Sequence, residues 1–137
     1  MDVKPVNILV VDDHPEFVRF LQHAFTALGW KVFTSTNGRD VLNKLAYTKP
    51  SLILMDMLMP EMDGFELTRV LKKNLAYRDI PILAITALNT LENRQRCLEA
   101  GCDDFVSKPF RLFDLRNRMM RLLNHGELRS ATKTNRR

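Results

Sequence analysis

The sequence predicts an α/β fold, one domain built on a parallel sheet with helices on both faces, and three observations lead there. Short β-rich apolar runs alternate with amphipathic stretches five times, in units of about twenty to thirty residues, the pattern of repeated strand–helix crossovers. The first, third and fourth of those runs are continuously apolar, as central parallel strands buried on both sides must be. The 137 residues, 45% hydrophobic and 27% charged, suit a single domain with its own core.

The first strand is Asn7-Ile8-Leu9-Val10-Val11, ending at Asp12-Asp13. Pro15 then opens a helix, because its missing N–H costs nothing in a first turn. Phe17, Phe20, Leu21, Ala24, Phe25 and Leu28 follow at three- and four-residue spacing, and Gly29 ends the helix. Residues 31–34 alternate and read as a half-exposed strand. Asn37 and Gly38 open a second helix carrying Val41, Leu42 and Leu45 on one face. Leu52-Ile53-Leu54-Met55 is a wholly apolar strand ending at Asp56. Asp63 and Glu66 have the spacing of a capping box and start a third helix with Phe65, Leu67, Val70 and Leu71 on its buried side. A fourth strand spans residues 80–85 and ends at Thr86-Ala87. A helix over 91–100 is stopped by Gly101. Phe105-Val106 is a short fifth strand before Lys108-Pro109, and Leu112, Leu115, Met119 and Leu122 mark the last helix.

The net charge is +5, and residues 127–137 supply +3 of it, with Arg129, Lys133, Arg136 and Arg137 against Glu127 alone. We read residues 1–126 as the folded domain and 127–137 as a basic, disordered tail. Cys97 and Cys102 lack the partners of a zinc site or a disulfide scaffold and read as reduced thiols in or beside a helix. The seven methionines read as core filler, with Met57, Met59 and Met62 packing beneath Asp56. No apolar run is long enough to cross a membrane and no secretory signal opens the chain, so a cytoplasmic protein is expected.

In an open parallel sheet, ligands bind at the carboxyl ends of the strands. Here those ends carry Asp12-Asp13, Asp56, Thr86-Ala87 and Lys108. Clustered carboxylates repel one another, and a divalent cation relieves the repulsion. Mg²⁺ suits such a rim because it takes a few carboxylates, waters and phosphate oxygens in place of a full protein cage. One carboxylate is then available as a nucleophile toward phosphorus, with Lys108 and the cation neutralising the phosphoryl oxygens and the Thr86 hydroxyl donating to one of them. Each residue alone is ordinary, but their joint occurrence at four strand ends is not. His14 reads as a loop or cap residue, since Mg²⁺ prefers oxygen ligands.

With these residues in view, the sequence resembles the receiver domain of two-component response regulators over about residues 5–124. The resemblance is carried by Ile8-Leu9-Val10-Val11-Asp12-Asp13, by residues 56–64 from Asp56 through Asp63-Gly64, by Ile85-Thr86-Ala87, by Gly101-Cys102-Asp103-Asp104-Phe105 and by Lys108-Pro109-Phe110. It implies a flavodoxin-like strand order, 2-1-3-4-5. It implies Asp56 as phosphoacceptor, loaded from a phosphohistidine on a sensor histidine kinase or phosphotransfer protein. It implies Mg²⁺ held by Asp12, Asp13, Asp56 and the Leu58 carbonyl, and Lys108 on the phosphoryl group. Thr86 and Phe105 are then the switch pair that alters the face of the last strand and its two flanking helices, and the Lys108-Pro109 bond is expected to be cis. Such a chain is a phosphoacceptor switch rather than a turnover enzyme, assisting its own phosphorylation and slow dephosphorylation, and it acts on a downstream protein target or a second copy of itself. The chain reads as a stand-alone receiver, with the receiver of a longer DNA-binding regulator or hybrid histidine kinase as the alternative.

Three positions depart from the family pattern. Phe105 stands where Tyr is frequent, so burial of the ring must serve as readout without a hydroxyl. Leu58 and Leu88, two residues after Asp56 and Thr86, hold the positions that the resemblance places beside the path of the hydrolytic water, and as leucines they cannot orient it, which predicts slow self-dephosphorylation. Other readings fall behind. An aspartate-nucleophile phosphatase wants a second Asp at position 58. A dinucleotide fold wants glycines after the first strand, where this chain has Asp12-Asp13-His14-Pro15. Arg111, Arg116, Arg118 and Arg121 invite a nucleic-acid reading, but no recognised motif accompanies them, and direct nucleic-acid binding is not expected.

Overall fold

The computed structural model describes residues 5–60 and 62–135; the side chains of Met62 and of residues 125–135 lie outside that description. The elements follow in the order β1 (Asn7–Val11), α1 (Pro15–Thr26), β2 (Lys31–Ser35), α2 (Gly38–Thr48), β3 (Leu52–Asp56), β4 (Leu58–Met59), β5 (Met62–Asp63), α3 (Gly64–Lys73), β6 (Ile82–Thr86), α4 (Leu91–Ala100), β7 (Asp104–Ser107) and α5 (Leu112–Asn135). The main sheet is parallel with order β2-β1-β3-β6-β7. Without the small β4–β5 ladder, which the sequence reading treated as loop, that is the expected 2-1-3-4-5.

Because side chains alternate along a strand, each central strand feeds two cores. Ile8, Val10, Leu52, Leu54, Leu83, Ile85 and Val106 pack with Leu21 and Phe25 of α1 and Leu115 and Met119 of α5. Leu9, Val11, Ile53, Met55, Ile82 and Ala84 pack on the opposite face with α2, α3 and α4 through Val41, Leu45, Phe65, Leu71 and Cys97. Phe20, Leu28, Leu42 and Val70, assigned to buried helix faces from spacing, remain exposed at the rims of those faces.

The helix starts obey local chemistry. Asn37 accepts from Asp40 N, Thr90 accepts from Asn93 N, and Asp63 accepts from Phe65 N and Glu66 N. Gly64 is required by close approach, since a Cβ there would lie 2.8 Å from Met57 Cα. Met57 and Met59 are buried after Asp56 as expected, whereas the packing of Met62 lies outside the described residues.

One boundary differs. The backbone of α5 continues helically through Asn135, across the segment 127–135 that was read as a disordered tail. Its Glu, Leu, Arg and Ala residues favour helix, no proline interrupts it, and a lone Gly126 costs only about 1 kcal/mol. The tail's basic side chains lie outside the described residues.

Candidate functional site at the strand ends

Register builds the site. Val11 lies opposite Met55 and Asp56 opposite Ile85, so the residues leaving β1 and β3 emerge side by side at the carboxyl edge. Thr86 pairs with Ser107, and Lys108 N donates to Thr86 O at 2.8 Å, carrying the lysine to the same edge. The Lys108-Pro109 bond is cis.

Asp12 is buried, and each of its oxygens is engaged. Oδ1 accepts from His14 N at 2.9 Å and lies 2.8 Å from His14 Nδ1, while Oδ2 accepts from Lys108 Nζ at 3.2 Å. Asp56 is 5% exposed. Its Oδ1 accepts from Leu58 N at 3.0 Å, and its Oδ2 lies 3.7 Å from Lys108 Nζ. Burial pushes the Asp56 carboxyl above its ordinary value, against the opposing pull of the Leu58 amide and Lys108. Asp13 is only partly buried, yet its Oδ1 is enclosed without a hydrogen-bond partner and faces His14 Nδ1 at 3.3 Å.

Donor atoms of Asp12, Asp13, His14 and Asp56 all lie within 4.8 Å of one another. Three carboxylates with one enclosed, unsatisfied oxygen among them fit a hard divalent cation. His14 has another role. It occupies the N-cap of α1, and its ring faces Asp12, whose hydrogen bond raises the imidazole above its ordinary value. A cleft of about 460 Å³ opens over Asp56, lined by His14, Glu16, Phe17, Leu58, Ala87 and Lys108, and it has room for waters and a phosphoryl group.

The remaining expected residues are distributed around this centre. Thr86 is buried at the end of β6, and its Oγ1 accepts from Leu88 N at 3.2 Å. Ala87 and Leu58 border the cleft, and Leu88 is exposed beside them. Phe105 lies on β7 away from the cleft, half-buried, with the Arg94 guanidinium 5.8 Å from its ring. The sequence reading missed Phe17. It was read as core, but Lys108 Nζ lies 4.4 Å over its ring, and the ring also meets Phe110 edge-on at 5.8 Å. Its position on the first turn of a helix leaving the acidic loop was the available signal.

Comparison with known proteins agrees with this geometry. The model of the response regulator receiver domain matches residues 8–120. A probable transcriptional regulator, ycf27 of Cyanophora paradoxa, is 36% identical over 98% of this chain and 56% of its own length. The receiver domain of a signal transduction histidine kinase from Syntrophus aciditrophicus superposes with TM-score 0.81 at 38% identity, covering 88% of this chain and 91% of that one. The receiver domain of the Pseudomonas aeruginosa sensor histidine kinase PA1611, solved with a magnesium ion coordinated in its active-site cleft, gives TM-score 0.79 at 29% identity over 88% and 99% of the two chains. The chain spans about half the length of the curated relatives it matches. Among the described residues no helix is long and apolar enough to cross a membrane. With the fold, the acidic rim and the family match in agreement, the chain belongs to the response regulator receiver domain family.

Proposed function

We propose that Asp56 accepts a phosphoryl group from a phosphohistidine in a Mg²⁺-dependent reaction, and that the phosphorylated chain signals through a changed surface. The observation that carries this is the convergence of Asp12, Asp13, Asp56 and Lys108 at the carboxyl edge of the sheet, with an enclosed Asp13 oxygen that lacks a hydrogen-bond partner among them. Asp56 Oδ2 is the attacking atom, because among the described hydrogen bonds a backbone amide engages Oδ1 only. It forms the O–P bond as the N–P bond to the donor imidazole breaks, and the imidazole takes up a proton. Asp12, Asp13, Asp56 and the Leu58 carbonyl would hold Mg²⁺, which when bound neutralises charge on the phosphoryl oxygens. Lys108 supplies the second positive charge, steadied by the Phe17 ring.

The readout runs through Thr86. Its hydroxyl leaves Leu88 N for the phosphoryl group, and Phe105 follows inward, changing the face formed by α4, β7 and α5. A downstream protein or a second copy of the chain reads that face. The upstream partner is a sensor histidine kinase or phosphotransfer protein, the compartment is the cytoplasm, and the chain is a switch without turnover chemistry on another substrate. The length and name of the curated relatives favour a second reading of the output, in which the receiver regulates transcription as part of a longer protein.

Mass spectrometry of the full chain with acetyl phosphate, with and without Mg²⁺, tests the proposal beside Asp56→Asn. One added phosphoryl group that needs both Mg²⁺ and Asp56 is the expected result. No addition, together with failure to bind beryllofluoride, would mean a receiver fold that signals without phosphate.

A further inference from the structure

Helix α4 ends in a left-handed turn at Gly101, closed by Gly101 N to Leu98 O at 3.1 Å and Cys102 N to Cys97 O at 3.0 Å. This is the doubly bonded Schellman cap, in which the side chain two residues past the helix end meets one in the last turn. The meeting is ordinarily between apolar groups. Here both partners are thiols, Cys97 and Cys102, brought to one turn by the backbone bond between them.

The cap therefore places two cysteines side by side in a turn whose backbone is already closed. Both are buried from bulk solvent, yet both line a cavity of about 340 Å³ with Arg94, Asp104, Phe105 and Arg118. A small uncharged oxidant is the class of reagent that fits there. The sulfurs are not equivalent. The neighbouring Cys102 thiol, helped by Arg96 and opposed by burial, lowers Cys97 from its ordinary value, while the Cys97 thiol and burial push Cys102 up. Arg96, next to Cys97 in the chain, favours its thiolate and makes Cys97 the attacking thiol of the pair.

We propose that Cys97 and Cys102 form a hydroperoxide-oxidisable dithiol, a modification site separate from the acidic rim. The Cys97 thiolate attacks a peroxide oxygen. The S–O bond forms as the O–O bond breaks, the departing hydroxide takes a proton as water, and Cys97 is left as a sulfenic acid. The Cys102 sulfur then attacks the Cys97 sulfur. The S–S bond forms, the S–O bond breaks, and the Cys102 proton leaves with the hydroxyl as water. Two thiols lose two electrons and the peroxide gains them. The disulfide ties the last turn of α4 to the residue preceding Asp103, and so fixes the turn that feeds β7 and Phe105. In a reducing cell such a bond is transient, as a sensing disulfide must be.

The full chain, folded and treated with hydrogen peroxide, is then denatured, alkylated with iodoacetamide and weighed intact. Expected are loss of both alkylation sites, a mass lower by two hydrogen atoms, a monomeric product, and full reversal by dithiothreitol. In Cys102→Ala, dimedone should trap Cys97; in Cys97→Ala, Cys102 should stay unlabelled over the same time. Two cysteines still alkylated after peroxide, a disulfide between chains, or dimedone on Cys102 would each overturn the proposal. The wild-type arm needs no variant to fold, and no arm reads phosphate, so its failure leaves the reading of Asp56 untouched.

Discussion

The Lys108 ammonium sits closer to Asp12 than to Asp56, 3.2 Å from Asp12 Oδ2 against 3.7 Å from Asp56 Oδ2. The lysine is thus paired first with a proposed metal ligand and second with the proposed nucleophile. In this arrangement Lys108 and a cation compete for Asp12.

Lys108→Ala should therefore separate two functions. Mg²⁺ should bind several-fold tighter, because removing a unit charge at this range is worth about 1 kcal/mol in a screened site. Phosphoryl incorporation from acetyl phosphate should fall by about a hundredfold, the usual loss when one charge-stabilising donor is removed. Calorimetric titration with Mg²⁺ and mass spectrometry read the two effects. Weaker Mg²⁺ binding would show that Lys108 positions Asp12 instead of competing for it.

Asp56→Asn should stabilise the metal-free fold at neutral pH. Burial holds the Asp56 carboxyl above its ordinary value, so its charged form weakens the fold at neutral pH. The folded state binds the proton more tightly than the unfolded chain. The penalty therefore fades as pH falls through the raised value, and the advantage of Asn fades with it. Asn keeps an oxygen for the Leu58 amide. We expect a gain of about 1 kcal/mol at pH 7 in chelator, smaller at pH 5, measured by urea unfolding. Saturating Mg²⁺ should reverse the order by stabilising the wild type more.

His14 should titrate above the ordinary histidine value in metal-free protein, because Asp12 accepts its hydrogen bond and both Asp12 and Asp13 favour its charge. The pair's contribution to stability is complete below the unfolded value and is lost as pH rises through the raised one. NMR titration of the ring should show the raised value move back down when Mg²⁺ is added. A value insensitive to Mg²⁺ would place the ion away from Asp12 and Asp13.

Leu58 and Leu88 are 40% and 52% exposed beside the cleft, and neither can hold a water by hydrogen bonding. Replacing them together, Leu58→Asn with Leu88→Glu, should speed loss of phosphate about tenfold by positioning the attacking water. Decay of radiolabelled phosphoprotein measures it, and an unchanged or slower rate would remove these positions from control of the lifetime.

Asp103 offers a test of what holds the sheet edge. Its Oδ2 accepts from both Lys72 Nζ and Ile82 N at 2.8 Å, while Lys72 also donates to Ile80 O at 2.9 Å. Both side chains are mostly buried. Asp103→Ala should cost about 3 kcal/mol, since it strands a buried ammonium and a backbone amide. A shift in the urea midpoint reads this, and a loss under 1 kcal/mol would mean that water replaces the carboxylate.

Much of this protein is written locally. The strands are legible because burial on both faces demands unbroken apolar runs, and the helices because one face must repeat at 3.6 residues. The caps at Asn37, Asp63 and Thr90 lie within three residues of the amides they serve, a distance over which composition alone specifies the bond. Asp12, Asp13, Asp56, Thr86 and Lys108 were identifiable since each ends a strand, and parallel strands share one carboxyl edge.

What the tertiary structure decided is who touches whom. Asp12 and Lys108, ninety-six residues apart, meet only because β1, β3, β6 and β7 align in one register. Phe17 comes under the lysine because α1 leaves the acidic loop at the angle its packing against the sheet allows. The Lys72–Asp103 pair arises where α3 meets the turn that leads into β7. Periodicity records that a residue is apolar or charged and which way its element turns. It carries no coordinate for another element, because that separation is set by the packing of whole faces against one sheet.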